Sequence, residues 1–226
     1  MSEEKTPENA VSFAVKDCAL VSISTGVKAY ILAELLEHLR EVEVGCLYYH
    51  FWARQLRPSF DHPEFHNDFA AWAHRDLHDW ILAERLNLIA PHEFRNLEEL
   101  REELINIIEE RVDESGDLPW RKAVAPFYFV KSQIIVLDTG KRVKEPQQLV
   151  EVVPTLSQGS IFYHFIDARR RTPERIDDFR AWFKAFSPQY DDLAAELAAI
   201  DPYFLTLTEI REQLSLVFRR YFGVSK

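Results

Sequence analysis

Gly45–Arg57 reads GCLYYHFWARQLR, and the chain repeats the pattern at Gly159–Arg171 as GSIFYHFIDARRR. Five positions are identical: Gly45/Gly159, Tyr49/Tyr163, His50/His164, Phe51/Phe165 and Arg57/Arg171. The chain is therefore an internal duplication, and this segment is its best-preserved part. From Cys46 to Ala53 almost every position is apolar except His50. A helix apolar on all faces is buried on all faces. Pro58 closes it, because the residue before a proline is pushed out of the helical region.

Outward from this segment the two copies keep one order. Phe13–Ser24 has the length and character of a strand and stops at Thr25-Gly26. A helical pattern follows over Val27–Val42, its apolar stripe made by Ile31, Leu32, Leu35, Leu36 and Leu39. A third helix is expected over Asp68–Ile89. A fourth begins near Asn96, where Asn96 and Glu99 have capping-box spacing. The second copy retraces this from Phe127 through Thr139-Gly140 to Asp178-Phe179, Trp182, Thr206/Glu209 and Arg211. His50 lies 24 residues after Gly26, and His164 lies 24 after Gly140. In the second copy Pro146 and Pro154 trim the first helix, and Ser187-Pro188 breaks the third. The repeats span 11–111 and 125–222, joined by a linker over 112–124 that Gly116 and Pro119 punctuate. A lone strand has unpaired edges, so the two strands are expected to meet. The fold expected is mainly α, an α+β body with short strands. It holds two tandem repeats of about one strand and four helices, packed with pseudo-twofold symmetry.

Composition narrows the function classes. Hydrophobic residues make up 47% of the 226 positions, with 16 Phe, 8 Tyr and 5 Trp, enough for a sizeable core. The formal net charge of −10 repels phosphate backbones and argues against nucleic-acid binding. No apolar run reaches the length of a membrane span, and the polar start MSEEKTPENA lacks the features of a signal peptide. A cytoplasmic location is the default. Cys18 and Cys46 lie in apolar runs without metal-type spacing and read as buried free thiols.

The repeated polar residues carry the chemistry. His50 and Arg57 are seven apart, two helical turns, so they share a face about 10 Å apart along the axis; His164 and Arg171 repeat the pair. A guanidinium and an imidazole N–H on one face suit a carboxylate or phosphate. The competing reading is an internal brace, with Arg57 on Asp68 and the histidine on a carbonyl. Asp68 and Asp178 stand before helical runs and fit N-caps; Arg101 and Arg211 join them as candidate braces. Thr25-Gly26 and Thr139-Gly140 are read as strand-to-helix turns. There backbone N–H groups would cradle a phosphate, or glycine simply serves the turn geometry. His74 and His78 have the i, i+4 spacing of a metal pair, but the second copy has no counterparts and no HExxH follows, so no metal is assigned. Arg169, Arg170, Arg171 and Arg175 form the one dense basic cluster, a docking patch or a solvated face. No cofactor motif and no nucleophile triad is recognised.

The ordered set of a TG turn, YHF-x5-R, DF-x2-W and a late L-x3-R helix, spanning Phe13 to Phe222, resembles a bacterial family of unknown function. Its members carry the unit in duplicate and often lie beside, or fused to, glycosyltransferases. The resemblance implies a fold and a neighbourhood and no mechanism. The expected function is a cytoplasmic binding or accessory protein associated with carbohydrate metabolism, a monomer with a protein partner and not an enzyme. Two alternatives stand beside it: a small-anion or sugar-phosphate enzyme or sensor using a His/Arg face, and a metal protein using the first-copy histidines.

Overall fold

A computed structural model describes residues 12–56, 64–116 and 120–223. The order is β1 (Phe13–Ile31), α1 (Leu32–Glu41), α2 (Val44–Leu56), α3 (Asp68–Arg75), α4 (Trp80–Asn87), α5 (Leu97–Glu114) and β2 (Lys122–Val143). It continues with α6 (Leu149–Val152), α7 (Gln158–Ile161), α8 (Ala168–Arg171), α9 (Asp178–Phe183), α10 (Asp191–Ala198) and α11 (Leu207–Tyr221). Three-residue 3₁₀ turns at Pro146–Gln148 and Val153–Thr155 flank α6, in the region the two prolines trim. A wide π turn, Phe162–Asp167, joins α7 to α8. Among the described residues no helix is long and apolar enough to cross a membrane.

The fold is α+β, with the two strands paired in one antiparallel sheet. They are long, 19 and 22 residues, where short ones were expected. The expected strand end at Thr25-Gly26 and the expected helix from Val27 are corrected: β1 runs on to Ile31 and α1 begins at Leu32. Gly26 has φ +77°, a conformation that suits glycine, and the strand continues through it. Thr25 Oγ1 donates to the Phe129 carbonyl at 2.6 Å and accepts from Val27 N at 3.1 Å. Thr139-Gly140 repeats this. Gly140 has φ +74°, and Thr139 Oγ1 donates to the Val15 carbonyl at 2.6 Å.

The chain forms two compact units. The first is Leu20–Ile135; the second is Met1–Ala19 with Val136–Lys226. Each strand is thus shared, one half in each unit. The first unit holds α1 to α5, and the second holds α6 to α11. In the first unit Phe127 stacks on Phe69 at 4.8 Å and meets His50 at 4.6 Å. Trp72 Nε1 donates to the Ala125 carbonyl. In the second unit Phe13 stacks on Phe179 at 5.1 Å and meets Trp182 at 5.4 Å and His164 at 4.8 Å. The phenylalanine that opens one sequence repeat therefore fills the core built by the other repeat's helices. Repeat boundaries at 11–111 and 125–222 describe the sequence periodicity, and the compact units cut across them. The expected 112–124 linker is shorter, since α5 ends at Glu114 and β2 starts at Lys122.

The single helix expected over Asp68–Ile89 is two helices. The break at Asp76–Asp79 has a cause outside the helix itself. The Asp76 carbonyl accepts from Val124 N of β2 at 2.8 Å, so it is drawn out of the helical ladder. Asp79 then caps the next helix by accepting from Leu82 N at 2.9 Å, and it pairs with Arg111 at 3.1 Å. His78 takes φ +56° between them. The second unit breaks at the equivalent place, before and after Ser187-Pro188.

Replacing Phe13 by Ala is expected to cost about 3–5 kcal/mol in urea unfolding. It should raise amide exchange over 158–183 while leaving 44–75 protected. Phe127→Ala should do the reverse. The opposite exchange pattern would mean that each strand serves its own repeat.

Candidate functional site

The repeated histidines sit on strand-facing positions of the central helical segments, and both are buried, His50 at 3% and His164 at 2% exposure. Each ring is engaged at both nitrogens. His50 Nε2 accepts from the Val130 backbone N–H at 3.1 Å, and its Nδ1 lies 2.9 Å from Asp68 Oδ2. His164 Nε2 accepts from Lys16 N–H at 2.8 Å, and its Nδ1 lies 2.8 Å from Asp178 Oδ2. A ring nitrogen that accepts a backbone N–H carries no proton of its own. The proton of the neutral imidazole therefore sits on Nδ1 and is donated to the carboxylate. The tautomer is fixed by the backbone donor on one side and the carboxylate on the other.

Asp68 and Asp178 are the first residues of α3 and α9. The N-caps expected of them are instead Asn67, accepting from Ala70 N, and Asp177, accepting from Arg180 N. The shift of one residue has a physical reason: a carboxylate bound to a histidine ring is already oriented away from the helix N–H groups. Each dyad thus ties a strand edge, a central helix and the start of the following helix.

Arg171 completes the second dyad. Its Nη2 donates to Asp178 Oδ2 at 3.0 Å and to the Tyr163 carbonyl at 2.8 Å, and its Nε donates to Asp167 Oδ2 at 2.8 Å. The guanidinium lies 3.9 Å over the Tyr163 ring, a cation–π contact. Its side chain is 32% exposed, while its Nε and Nη2 donors face the protein. Arg57, its sequence counterpart, lies outside the described residues. In the first unit Arg54 Nη1 stands 3.7 Å from Asp68 Oδ1. Asp167, buried at the end of the π turn, also takes Arg170 at 3.0 Å, so much of the dense basic cluster is consumed internally. Sequence spacing offered a signal for Asp167, four residues before Arg171, and none for the two backbone donors.

Other candidates fall away from a ligand. The TG segments lie inside strands and not at helix starts, which corrects the phosphate-cradle reading. Gly140 N and Lys141 N already donate to Asp138 Oδ1 and Thr139 Oγ1. Arg142, aided by the Gly140 N–H, holds the Asp138 carboxyl down at about 2. Arg101 donates to the Leu39 and Val42 carbonyls at 2.7 Å each, closing the end of α1. Arg211 donates to the Leu156 carbonyl at 2.9 Å. His74 and His78 do not share a helix face, since α3 ends at Arg75; His74 packs edge-on to Trp80 at 4.1 Å. Thr206 and Glu209 form a full capping box, whereas Glu99 reaches back to Arg95 N, one residue before the Asn96 cap. Cys18 and Cys46 are buried free thiols. Burial, then the negative charges of Asp167 and Asp17, pushes Cys18 up to about 12, so it is no nucleophile. Gly159 is required by a close approach: a Cβ there would lie 2.3 Å from the Cys18 carbonyl oxygen.

One feature was not anticipated. Asp177 is fully buried, and burial pushes its carboxyl up to about 6. Its Oδ2 stands 3.9 Å from Arg169 Nη2 and 3.8 Å from Arg180 Nη1, outside direct hydrogen bonding. The Asn67 counterpart is satisfied at both ends of its amide, donating to the Leu86 carbonyl at 2.8 Å and accepting from Ala70 N.

Three measurements check these assignments. Nitrogen-detected imidazole spectra at neutral pH should show Nδ1–H and bare Nε2 for both His50 and His164. His164→Ala should cost about 2–4 kcal/mol, because it strands a backbone N–H and a carboxylate. A raised carboxylate pKa means that ionisation burdens the fold above about pH 6, and the burden lifts as pH falls toward the unfolded value. Asp177→Asn should therefore raise stability by roughly 1–3 kcal/mol at pH 8 and by much less at pH 4.5, read from urea midpoints. A less stable variant at pH 8 would mean that the arginines hold the carboxylate in its charged form.

A search of curated proteins returns no match. A solved structure, that of OrfY from Thermoproteus tenax, is similar over 93% of this chain and 95% of that one, with a TM-score of 0.79 and 26% identity. The model of a family described as "Family of unknown function (DUF5752)" matches residues 10–219, and the chain belongs to that family.

Proposed function

We propose that the chain is a non-catalytic binding or accessory protein of the cytoplasm that acts with an enzyme of carbohydrate metabolism. The observation that carries this reading is the state of the two histidines. A general base needs a ring nitrogen free to meet a substrate proton, and in both dyads a backbone N–H occupies Nε2 while a carboxylate holds Nδ1. The residues that the duplication preserves best are thereby engaged in holding the fold. This argues equally against the alternative of a small-anion enzyme at the His/Arg face, since the Arg171 donors point to Asp167, Asp178 and Tyr163. The carbohydrate connection rests on the sequence resemblance, in which bacterial relatives often lie beside or fused to glycosyltransferases, and is an argument by analogy.

A pseudo-twofold relation between the repeats belongs to the same proposal. Its support is reciprocity. Thr25 binds the Phe129 carbonyl as Thr139 binds that of Val15, and His50 takes Val130 N–H as His164 takes Lys16 N–H. A duplication closed on itself in this way needs no second chain, so the protein is expected to act as a monomer.

The purified chain should leave sugar nucleotides and sugar phosphates unchanged on prolonged incubation, and should alter the rate of a glycosyltransferase from the same cell when added to it. Turnover by the chain alone would sink the proposal.

A further inference from the structure

The second unit carries a groove of about 320 Å³ between α9 and α10, within the size range of small-molecule sites. Ile176, Phe183 and Ala194 give it apolar walls; Arg180, Lys184 and Asp191 give it charged ones. Arg180 is also the link to the buried cluster behind it. Three buried polar atoms there have no hydrogen-bond partner: Arg180 Nε, Arg169 Nη2 and Asp177 Oδ2. The two guanidinium groups stand at ion-pair distance from Asp177 without hydrogen-bonding it; only the Arg180 backbone N–H does so, at 2.9 Å.

This cluster is peculiar to one repeat. At the equivalent positions the first repeat has Gln55 for Arg169, Asn67 for Asp177 and Ala70 for Arg180. There the asparagine satisfies itself against backbone. An ordinary core solution is thus available to this fold. The second repeat instead keeps two partly buried cations and a buried carboxylate with hydrogen-bonding capacity left over, an arrangement that destabilises a fold. Arg180 joins this cluster to the groove: its side chain is 22% exposed and forms part of the groove wall.

We propose that the groove binds a small organic anion, a phosphate monoester or carboxylate, through Arg180, with its body against Phe183, Ile176 and Ala194. Lys184 stands ready as a second cation. Its present partner, Glu174 at 2.8 Å, is a solvent-exposed pair that holds little energy and can be exchanged for a ligand anion. Asp191, across the groove, sets a preference for a ligand with a single anionic end and a neutral or donor-bearing body. The site is independent of the partner-protein reading above, and the experiment measures binding alone.

Phenyl phosphate and benzoate are titrated calorimetrically into the full chain at pH 7. Wild type, Arg180→Ala and Ala194→Leu are compared, each checked for its native circular dichroism. Saturable one-to-one binding of either probe is expected, weakened at least about tenfold by Arg180→Ala, since a charge-assisted hydrogen bond is lost. Ala194→Leu should weaken it similarly by filling the groove, and it leaves the charge cluster untouched, so it decides the matter if Arg180→Ala fails to fold. The tighter probe names the headgroup. No saturable binding of either probe to wild type at millimolar concentration overturns the proposal, as does binding that Ala194→Leu leaves unchanged.

Discussion

A backbone N–H on the outer edge of a two-stranded ribbon has no neighbouring strand to bond. When helices cover that edge the donor is sealed from water, and leaving it unpaired costs about 1–3 kcal/mol. In this protein the same side chain answers the problem in both units. The histidine ring accepts the edge N–H and passes the polarity on to a carboxylate at the start of the next helix. Imidazole suits this task because it accepts at one end and donates at the other along one rigid plane. The surrounding aromatics depend on it. Phe13 and Phe127 pack against those rings, and their placement fixes where Phe69, Phe179 and Trp182 can lie.

The dyad also explains why the strands are long and shared. Each histidine reaches a strand residue from the other end of the sequence periodicity: His50 takes Val130, and His164 takes Lys16. Each helical set therefore needs a half-strand from the other repeat, and a strand must be long enough to serve both units. The strands run on through the positive-φ positions Gly26 and Gly140, and the adjacent threonine hydroxyls bind across to the partner strand.

The buried central helix and the Thr206/Glu209 cap were legible in the chain, because each rests on local spacing. The strand exchange was not. Phe13 and Phe127 occupy identical places in their repeats, so no one-dimensional pattern tells which helices each will meet. The break at Asp76–Asp79 was hidden for a related reason: the helical periodicity of apolar residues survives it, and its cause is a bond to Val124, far away in sequence. Asn67 and Asp177 were overlooked as caps because the neighbouring Asp68 and Asp178 are equally good cap residues by type. Only the histidine's claim on them separates the two.

Duplicated chains permit one more step. Residues retained in both copies serve what both copies need, and here that is the ribbon's edge and the helix ends. A specialised role then falls to positions that differ between copies while the surrounding frame stays constant. The exchange of Gln55, Asn67 and Ala70 for Arg169, Asp177 and Arg180 is a coordinated difference of this kind. It converts a self-satisfied amide into a charged cluster with donors left over, beside a groove, in a fold that has a neutral solution available to it. The conserved histidines, which attract the eye first in the sequence, hold the frame, and the divergent arginines are where this chain's own chemistry can reside.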